Sequence, residues 1–214
     1  MPATGRVLAA EELDDPALPG WTWVRRPAGA EVTDGALRWP VEGTDLVGTA
    51  NRAGVLLRPP PAGADAWVAE TRVDLDLGEG TVRNFQQAGL VAYRSDDDFA
   101  RLSTVAIWNT RQTEFGRELR AAAPAGEASG LSYGGAVVGT PGPTTYLRLA
   151  YRRNAAGEHL LRAGTSRDGR DWTWGATWTF APGPVPRVGL VAHGGAEPAA
   201  TATFRYLRFS AVRG

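Results

Sequence analysis

The 214-residue chain contains no cysteine and only two histidines, His159 and His193. The missing thiols exclude disulfide bonds, thiol catalysis and zinc sites with cysteine ligands. With only two histidines, multi-histidine metal sites and most His-based catalytic triads are hard to assemble. Lysine is also absent, so all 23 cations are arginines, and they balance 23 acidic residues. A neutral chain has no general attraction to nucleic acid or anionic membranes, so we expect neither as a partner.

Long apolar runs are missing as well. No segment approaches the ~18 apolar residues of a membrane span. Residues 1–20 carry acids where a secretory signal needs an apolar run. The localisation is therefore unknown: we expect either a cytoplasmic protein or a secreted one whose signal lies outside this sequence.

The abundant residue types and the spacing of the hydrophobic residues favour an all-β fold. Hydrophobic residues make up 43% of the chain, which also contains 27 Gly, 15 Pro and eight Trp. Hydrophobic spacing is mostly of period two, which predicts half-buried strands. The Ala-rich run 121–128 is broken by Pro124 and Gly126, so we predict a loop there. We expect a single domain over residues 1–214 with antiparallel strands in two sheets. The clearest strands are predicted at 66–77, 85–94, 99–108, 145–153, 158–167, 187–194 and 203–212.

Period two also predicts which side chains face the core. In the strand at 85–94, Ala88, Leu90 and Ala92 share one purely apolar face, which suits the space between two sheets. Gln87, Gly89, Val91 and Tyr93 would then point outward. In the strand at 145–153, Leu147, Leu149 and Tyr151 are predicted to be internal, with Arg148 outward.

Several segments resemble one known family. The run Asn84–Tyr93 followed by Asp96–Leu102 resembles the concanavalin A-like β-sandwich module at the C-terminus of family 43 β-xylosidases and arabinofuranosidases. Further motifs occur in the family's order across residues 11–212: Leu18–Trp21, Asp34–Leu37, Tyr146–Leu149, Ser166–Trp172, Val188–Ala192 and Phe204–Phe209. The resemblance implies a two-sheet concanavalin A-like jelly-roll sandwich. It also implies that the catalytic propeller of those enzymes is absent from this sequence, which favours a non-catalytic role.

A sugar-binding groove is the first candidate site. Sugars present an apolar C–H face for aromatic stacking and a rim of hydroxyls for polar side chains. We predict a groove floored by Gln87, Tyr93, Arg101 and Arg148, with Glu114 nearby. Trp108 and His193 complete the predicted carbohydrate-binding set. The alternative is a solvated sheet face with cross-strand ion pairs.

The tryptophans are ambiguous evidence for such a site. Trp172, Trp174 and Trp178 are predicted to alternate toward one side of a single strand. Burial is the usual fate of large aromatic residues, so most tryptophans are expected to build the fold.

Calcium is a second candidate ligand. Modules of the resembled superfamily often bind a structural Ca²⁺, and their N-terminal acidic pair corresponds to Glu11 and Glu12. The usual acidic residue of the last strand is replaced by Arg205, which repels a cation. Either the calcium site is lost and Arg205 pairs with Glu11 or Glu12, or backbone carbonyls suffice.

Catalysis by the chain itself is the alternative from another class. A jelly-roll glycanase would need two close carboxylates, for which Asp74 and Asp76 are the nearest pattern. A polysaccharide lyase would need a base and an acid, for which His193 and Tyr93 are candidates. The sequence favours a monomeric, non-catalytic carbohydrate-binding or glycoside-hydrolase accessory module for plant-type or cell-wall oligo- or polysaccharide. A structural module without a ligand is the third alternative.

Overall fold

Strands account for most of the residues that the structure describes. A computed structural model describes residues 2–48, 51–120 and 130–213, and within these ranges it contains sixteen strands and no helix. The predicted loop at 121–128 lies outside the described residues. The strands are β1 (Ala3–Glu12), β2 (Thr22–Val24), β3 (Glu31–Thr33), β4 (Ala36–Pro40), β5 (Val55–Arg58), β6 (Ala66–Asp74), β7 (Arg83–Ser95), β8 (Asp98–Trp108), β9 (Thr110–Arg120), β10 (Leu131–Gly139), β11 (Thr144–Arg153), β12 (His159–Ser166), β13 (Thr173–Phe180), β14 (Arg187–His193), β15 (Thr201–Phe204) and β16 (Tyr206–Arg213).

The strands form two antiparallel sheets. The seven-stranded sheet has the order β10-β9-β8-β7-β14-β5-β2. The nine-stranded sheet has the order β13-β12-β11-β6-β15-β4-β3, and β16 joins it by pairing with β6 and β1. The structure is thus the predicted all-β jelly-roll sandwich. In the described ranges no helix has the length and apolarity that a membrane crossing requires.

The main core lies between the two sheets and follows the period-two prediction. Ala88, Leu90 and Ala92 of β7 are completely buried in it. Leu147 and Leu149 of β11 belong to the same core, as the alternation predicted. Alternate residues of a strand point to opposite faces, so Gln87, Val91 and Tyr93 of β7 point away from the core.

A smaller apolar cluster covers part of the outer face of the seven-stranded sheet. Its sheet residues include Val55, Val91, Tyr93 and Phe99. Leu46, which precedes β5 in the chain, packs over them and is itself completely buried. This outer face is therefore not a simple solvated surface, because a segment of the chain already covers one part of it.

A β-bulge in β13 changes the direction of one tryptophan. Trp174 is paired with Gly164, but the register shifts before Thr177 is paired with Arg162. A bulge moves every following side chain to the opposite face. Trp178 therefore packs on the main core, and its Nε1 donates to the carbonyl of Phe115 at 2.9 Å. The prediction that Trp178 shares a side with Trp174 is wrong for this reason.

Candidate functional site

A group of polar side chains occupies the outer face of the seven-stranded sheet beside the apolar cluster. Cross-strand pairing assembles it, since His193 is opposite Gln87 and Ser103 is opposite Glu114. We call this group the polar face, and it comprises Gln87, Arg101, Ser103, Gln112, Glu114, Tyr133 and His193. Four of these residues were predicted from the sequence to bind carbohydrate: Gln87, Arg101, Glu114 and His193.

Arg101 is the centre of the polar face. Its side chain is buried, and its Nη1 lies 2.9 Å from Nε2 of His193. Its Nη2 donates to the hydroxyl of Tyr133 at 3.1 Å. That hydroxyl donates to Oε1 of Glu114 at 2.5 Å, and Gln112 donates to Oε2 of Glu114 at 3.0 Å. One continuous hydrogen-bonded chain therefore crosses β14, β8, β10 and β9.

Ser103 and Gln87 of the polar face form a hydrogen bond with each other. Ser103 donates to Oε1 of Gln87 at 2.9 Å, and Nε2 of Gln87 donates to the carbonyl of Phe85 at 3.0 Å. Both side chains are buried. Buried polar groups need such partners because an unpaired one loses its hydration without compensation. Gln87 and Ser103 thus support the floor of the polar face and are not open to a ligand.

The electrostatics keep His193 neutral. Burial lowers its pKa well below the ordinary value, and the Arg101 guanidinium lowers it further. An arginine can only donate, so Nε2 of a neutral imidazole must be the acceptor. Nδ1 then carries the proton and is buried, and the backbone of Thr44 beside the ring raises the pKa by less than burial and Arg101 lower it. His193 therefore fixes Arg101 and is not itself exposed to solvent.

Glu118 lies on the same face and was missed by the sequence reasoning. It is completely buried, and burial raises its pKa. Its Oε2 accepts the backbone N–H of Gly48 at 3.0 Å, whereas its Oε1 has no partner in the described ranges. Glu118 thus ties the covering segment before β5 to the sheet.

Tyr133 is the accessible part of the polar face. Its side chain is 40% exposed, whereas burial of its hydroxyl end raises its pKa to about 12. The hydroxyl lies over Gly116, where an added Cβ would be only 2.1 Å away. Glu114 and Gln112 are half-buried beside it. A ligand would therefore meet the Tyr133 ring, a carboxylate and an amide.

Two predicted site residues lie near but outside this group. Tyr93 is on the same face of β7, but it belongs to the apolar cluster and donates to Oδ1 of Asp96 at 2.7 Å. Trp108 ends β8 and is 60% exposed. Its φ of 54° is uncommon for a large non-glycine residue. Neither residue is part of the hydrogen-bonded chain.

Arg148 lies on the other sheet. It sits on β11, where it forms an ion pair with Glu70 at 2.6 Å and stacks on the Trp172 ring at 3.7 Å. The structure therefore does not assemble the predicted groove of Gln87, Tyr93, Arg101 and Arg148. The period-two pattern correctly predicted that Arg148 points outward. The two sheets of a sandwich have their outer faces on opposite sides, so Arg148 cannot share a groove with residues of the other sheet.

The residues proposed for calcium do not form a ligand set. Glu11 forms an ion pair with Arg58 at 2.6 Å, and Glu12 lies 3.8 Å from Arg208. Arg205 lies 3.8 Å from Asp74, so its expected pairing with Glu11 or Glu12 is not what the structure shows. In the described part of the chain, no three His, Asp or Glu side chains come together as a possible metal site. Calcium takes six to eight oxygen ligands, so a site here would have to rely on backbone carbonyls.

The base and the acid considered for a polysaccharide lyase are separated. His193 pairs with Gln87, which is six residues from Tyr93 on β7, so His193 and Tyr93 are about 20 Å apart at roughly 3.3 Å per residue. An acid and a base at that separation cannot serve one sugar ring. Asp74 accepts hydrogen bonds from Arg72 and Thr144, and Asp76 accepts from the N–H of Gly78 in its own turn.

No protein-family model matches the chain. No curated protein matches it either. Solved structures do resemble it. A GH43 protein of Bacillus licheniformis, BlXynB, superposes with a TM-score of 0.69 at 17% identity, covering 94% of this chain and 39% of that one. The chain thus spans about two fifths of that protein, in agreement with the resemblance to a family 43 β-sandwich module.

Two other structures match over their whole length. A functionally unknown protein of Saccharomyces cerevisiae has a TM-score of 0.64 at 19% identity, covering 91% of this chain and 98% of that one. A legume lectin-like domain of Entamoeba histolytica has a TM-score of 0.60 at 9% identity, covering 99% and 100%. At these identities the similarity shows the fold.

Proposed function

We propose that the chain is a non-catalytic carbohydrate-binding module and that Tyr133 is the centre of its binding surface. The observation that carries this proposal is an exposed aromatic ring whose hydroxyl is held by buried Arg101 and by Glu114. A ring fixed in this way loses little conformational freedom when a ligand stacks on it. The C–H face of a sugar suits the ring, and the sugar hydroxyls suit the neighbouring carboxylate and amide.

The charges of the polar face favour a neutral sugar. The guanidinium of Arg101 is buried, and both of its terminal nitrogens have partners. The accessible charge is instead the carboxylate of Glu114, which accepts hydrogen bonds from hydroxyls and repels an anionic sugar. Neutral backbones such as that of xylan are therefore the preferred class among plant-type or cell-wall polysaccharides.

The fold similarities support the same proposal without selecting a sugar. One similar structure is named as a GH43 protein and another as legume lectin-like. The module would act as an accessory that holds a polysaccharide, because the base and acid considered for a lyase, His193 and Tyr93, lie far apart on paired strands.

The test is calorimetric titration with neutral xylo-oligosaccharides after a glycan array has selected the best length. We expect Tyr133→Ala to weaken binding about twofold to twelvefold, since aromatic contacts contribute about 0.5–1.5 kcal/mol. Glu114→Gln should weaken binding as well. Tyr206→Phe is the matched control, because Tyr206 donates to Glu70 at 2.8 Å on the other sheet.

Three outcomes would contradict the proposal. Unchanged binding by Tyr133→Ala would remove the polar face from the binding surface. An array without any bound glycan would favour a structural module. Release of reducing ends or unsaturated products from xylan or alginate would favour the enzyme alternative.

A further inference from the structure

A second aromatic surface lies on the outer face of the nine-stranded sheet. Trp172 and Trp174 are both half-buried there, with ring centroids 6.3 Å apart and planes inclined by 34°. We call this surface the tryptophan platform, defined by Trp172, Trp174, Arg148 and Arg162. It is on the opposite side of the sandwich from the polar face.

A row of cross-strand neighbours supports the platform. Glu70 is opposite Arg148, Arg148 is opposite Gly164, and Gly164 is opposite Trp174. The Trp174 ring lies flat over Gly164, since three of its ring atoms would be 3.0–3.2 Å from an added Cβ. One ring face therefore rests on the sheet, and the exposed part of the side chain is on the solvent side.

Trp172 is fixed by a different contact. The guanidinium of Arg148 stacks on its ring at 3.7 Å, and Nε of Arg148 donates to Glu70 at 2.7 Å. Nε1 of Trp172 donates to the carbonyl of Gly169 at 3.2 Å. Both tryptophans are thus held in place before any ligand arrives, which lowers the entropic cost of binding.

Two shallow cavities adjoin the platform. One of about 630 Å³ is lined by Trp172 and Trp174. The other, of about 290 Å³, is lined by Arg162. Pro2 borders both cavities, so the two are neighbours, and we refer to them together as the depression. The cavity at the two tryptophans is large enough for a sugar residue.

The charge around this depression is strongly positive. The lining contains more arginines than acidic residues, and its acidic residue is Asp171. Arg148 is neutralised by its ion pair with Glu70. None of the ion pairs between described residues involves the other four lining arginines, Arg152, Arg162, Arg170 and Arg213. Guanidinium groups bind carboxylates with paired hydrogen bonds. An anionic ligand is therefore favoured here, in contrast to the polar face.

We propose that the tryptophan platform binds a uronate-bearing oligosaccharide. The indole rings would stack on the sugar faces, and the arginines without an ion pair would bind the uronate carboxylates. Among these, Arg162 is positioned by a hydrogen bond from its Nε to the carbonyl of Gly175 at 3.2 Å. This proposal does not depend on the function of the polar face. The two surfaces lie on opposite sides, so both can be occupied at once and the module can connect a neutral chain with an acidic one.

The experiment compares oligogalacturonates with neutral xylo-oligosaccharides of equal length by calorimetry. We expect oligogalacturonate binding that weakens as salt rises, because ion pairs are screened. Trp174→Ala and Arg162→Gln should each reduce it at least fivefold and leave neutral-oligosaccharide binding unchanged. Tyr133→Ala is the matched control and should leave oligogalacturonate binding unchanged.

Several results would overturn this proposal. Unchanged oligogalacturonate binding by both Trp174→Ala and Arg162→Gln would exclude the platform. Complete competition by an equal carboxylate concentration of citrate would show a simple anion site. Loss of binding in Tyr133→Ala alone would place the acidic sugar on the polar face and would contradict the charge argument for both surfaces.

Discussion

The buried position of His193 determines how the free energy of unfolding depends on pH. The side chain is completely buried, and burial followed by the nearby Arg101 charge lowers its pKa well below the ordinary value of about 6.5. The charged groups that face it are Arg101 from β8 and Asp45 from the segment before β5, whose Oδ1 is 3.9 Å from Nδ1. In the unfolded chain the imidazole titrates normally.

The direction of the effect follows from this difference. At pH values above the pKa of His193 in the unfolded chain, neither the folded nor the unfolded state binds a proton there. His193 then does not reduce the free energy of unfolding. As pH falls below about 6.5, the unfolded chain takes up a proton that the folded chain does not bind. Unfolding is thereby favoured, with a slope that approaches about 1.4 kcal/mol per pH unit. Between pH 7.5 and pH 5.5 the loss from His193 alone is about 1.4 kcal/mol.

Urea denaturation followed by tryptophan fluorescence measures this effect in the natural chain and in His193→Gln. A glutamine oxygen can still accept from Arg101, but it does not titrate. His159 also has a lowered pKa, caused first by burial, and its contribution to the slope cancels because both chains contain it. The natural chain should lose about 1.4 kcal/mol more than the variant over this pH range. Equal losses in the two proteins would refute the assignment of a buried neutral imidazole.

Two further substitutions test the local geometry. Gly116→Ala would place a Cβ 2.1 Å from the Tyr133 hydroxyl, so that hydroxyl should leave Arg101 and Glu114. Its pKa should then fall from about 12 toward about 10 in an ultraviolet titration, and an unchanged value would contradict the contact. Trp178→Phe removes the bond from Nε1 to the Phe115 carbonyl and should lower the free energy of unfolding by about 1 kcal/mol in urea. The matched control Trp174→Phe should change it by less than half as much, and a larger effect at Trp174 would reverse the assignment of core and surface.

The sequence was sufficient to predict the class of fold and the inner face of several strands. In β7 and β11 every second residue is apolar, and alternation is a property of the extended backbone itself. Ala88, Leu90, Leu147 and Leu149 accordingly lie in the main core. The same alternation correctly assigned Gln87 to the outer face.

Alternation cannot tell which sheet a strand joins, and this limited the site prediction. Gln87 and Arg148 both point outward, but β7 pairs with β14 and β8 whereas β11 pairs with β6 and β12. Sheet membership depends on long-range pairing, which the local pattern does not contain. The predicted groove therefore combined residues from two surfaces that face in opposite directions.

Local irregularities account for the other differences. The bulge in β13 reverses Trp178, and no single residue type marks its position unambiguously. Tyr133 was missed because it stands in a glycine-rich strand without clear alternation, although Gly134 and Gly135 directly after it were an available signal of close packing. The most accessible residue of the polar face thus came only from the structure.

Arg101 gives the strongest physical reason to regard the polar face as more than a packed surface. Burying a guanidinium costs several kcal/mol unless its partners compensate, and an apolar residue of similar volume is often as stabilising or better. Such a residue would suit this position well, because Val91 lies directly opposite it and belongs to the neighbouring apolar cluster. An apolar residue, however, could not hold the hydroxyl of Tyr133 next to the carboxylate of Glu114. The energetic cost of Arg101 is therefore best explained by the orientation of Tyr133, which is the residue that a stacked sugar would contact.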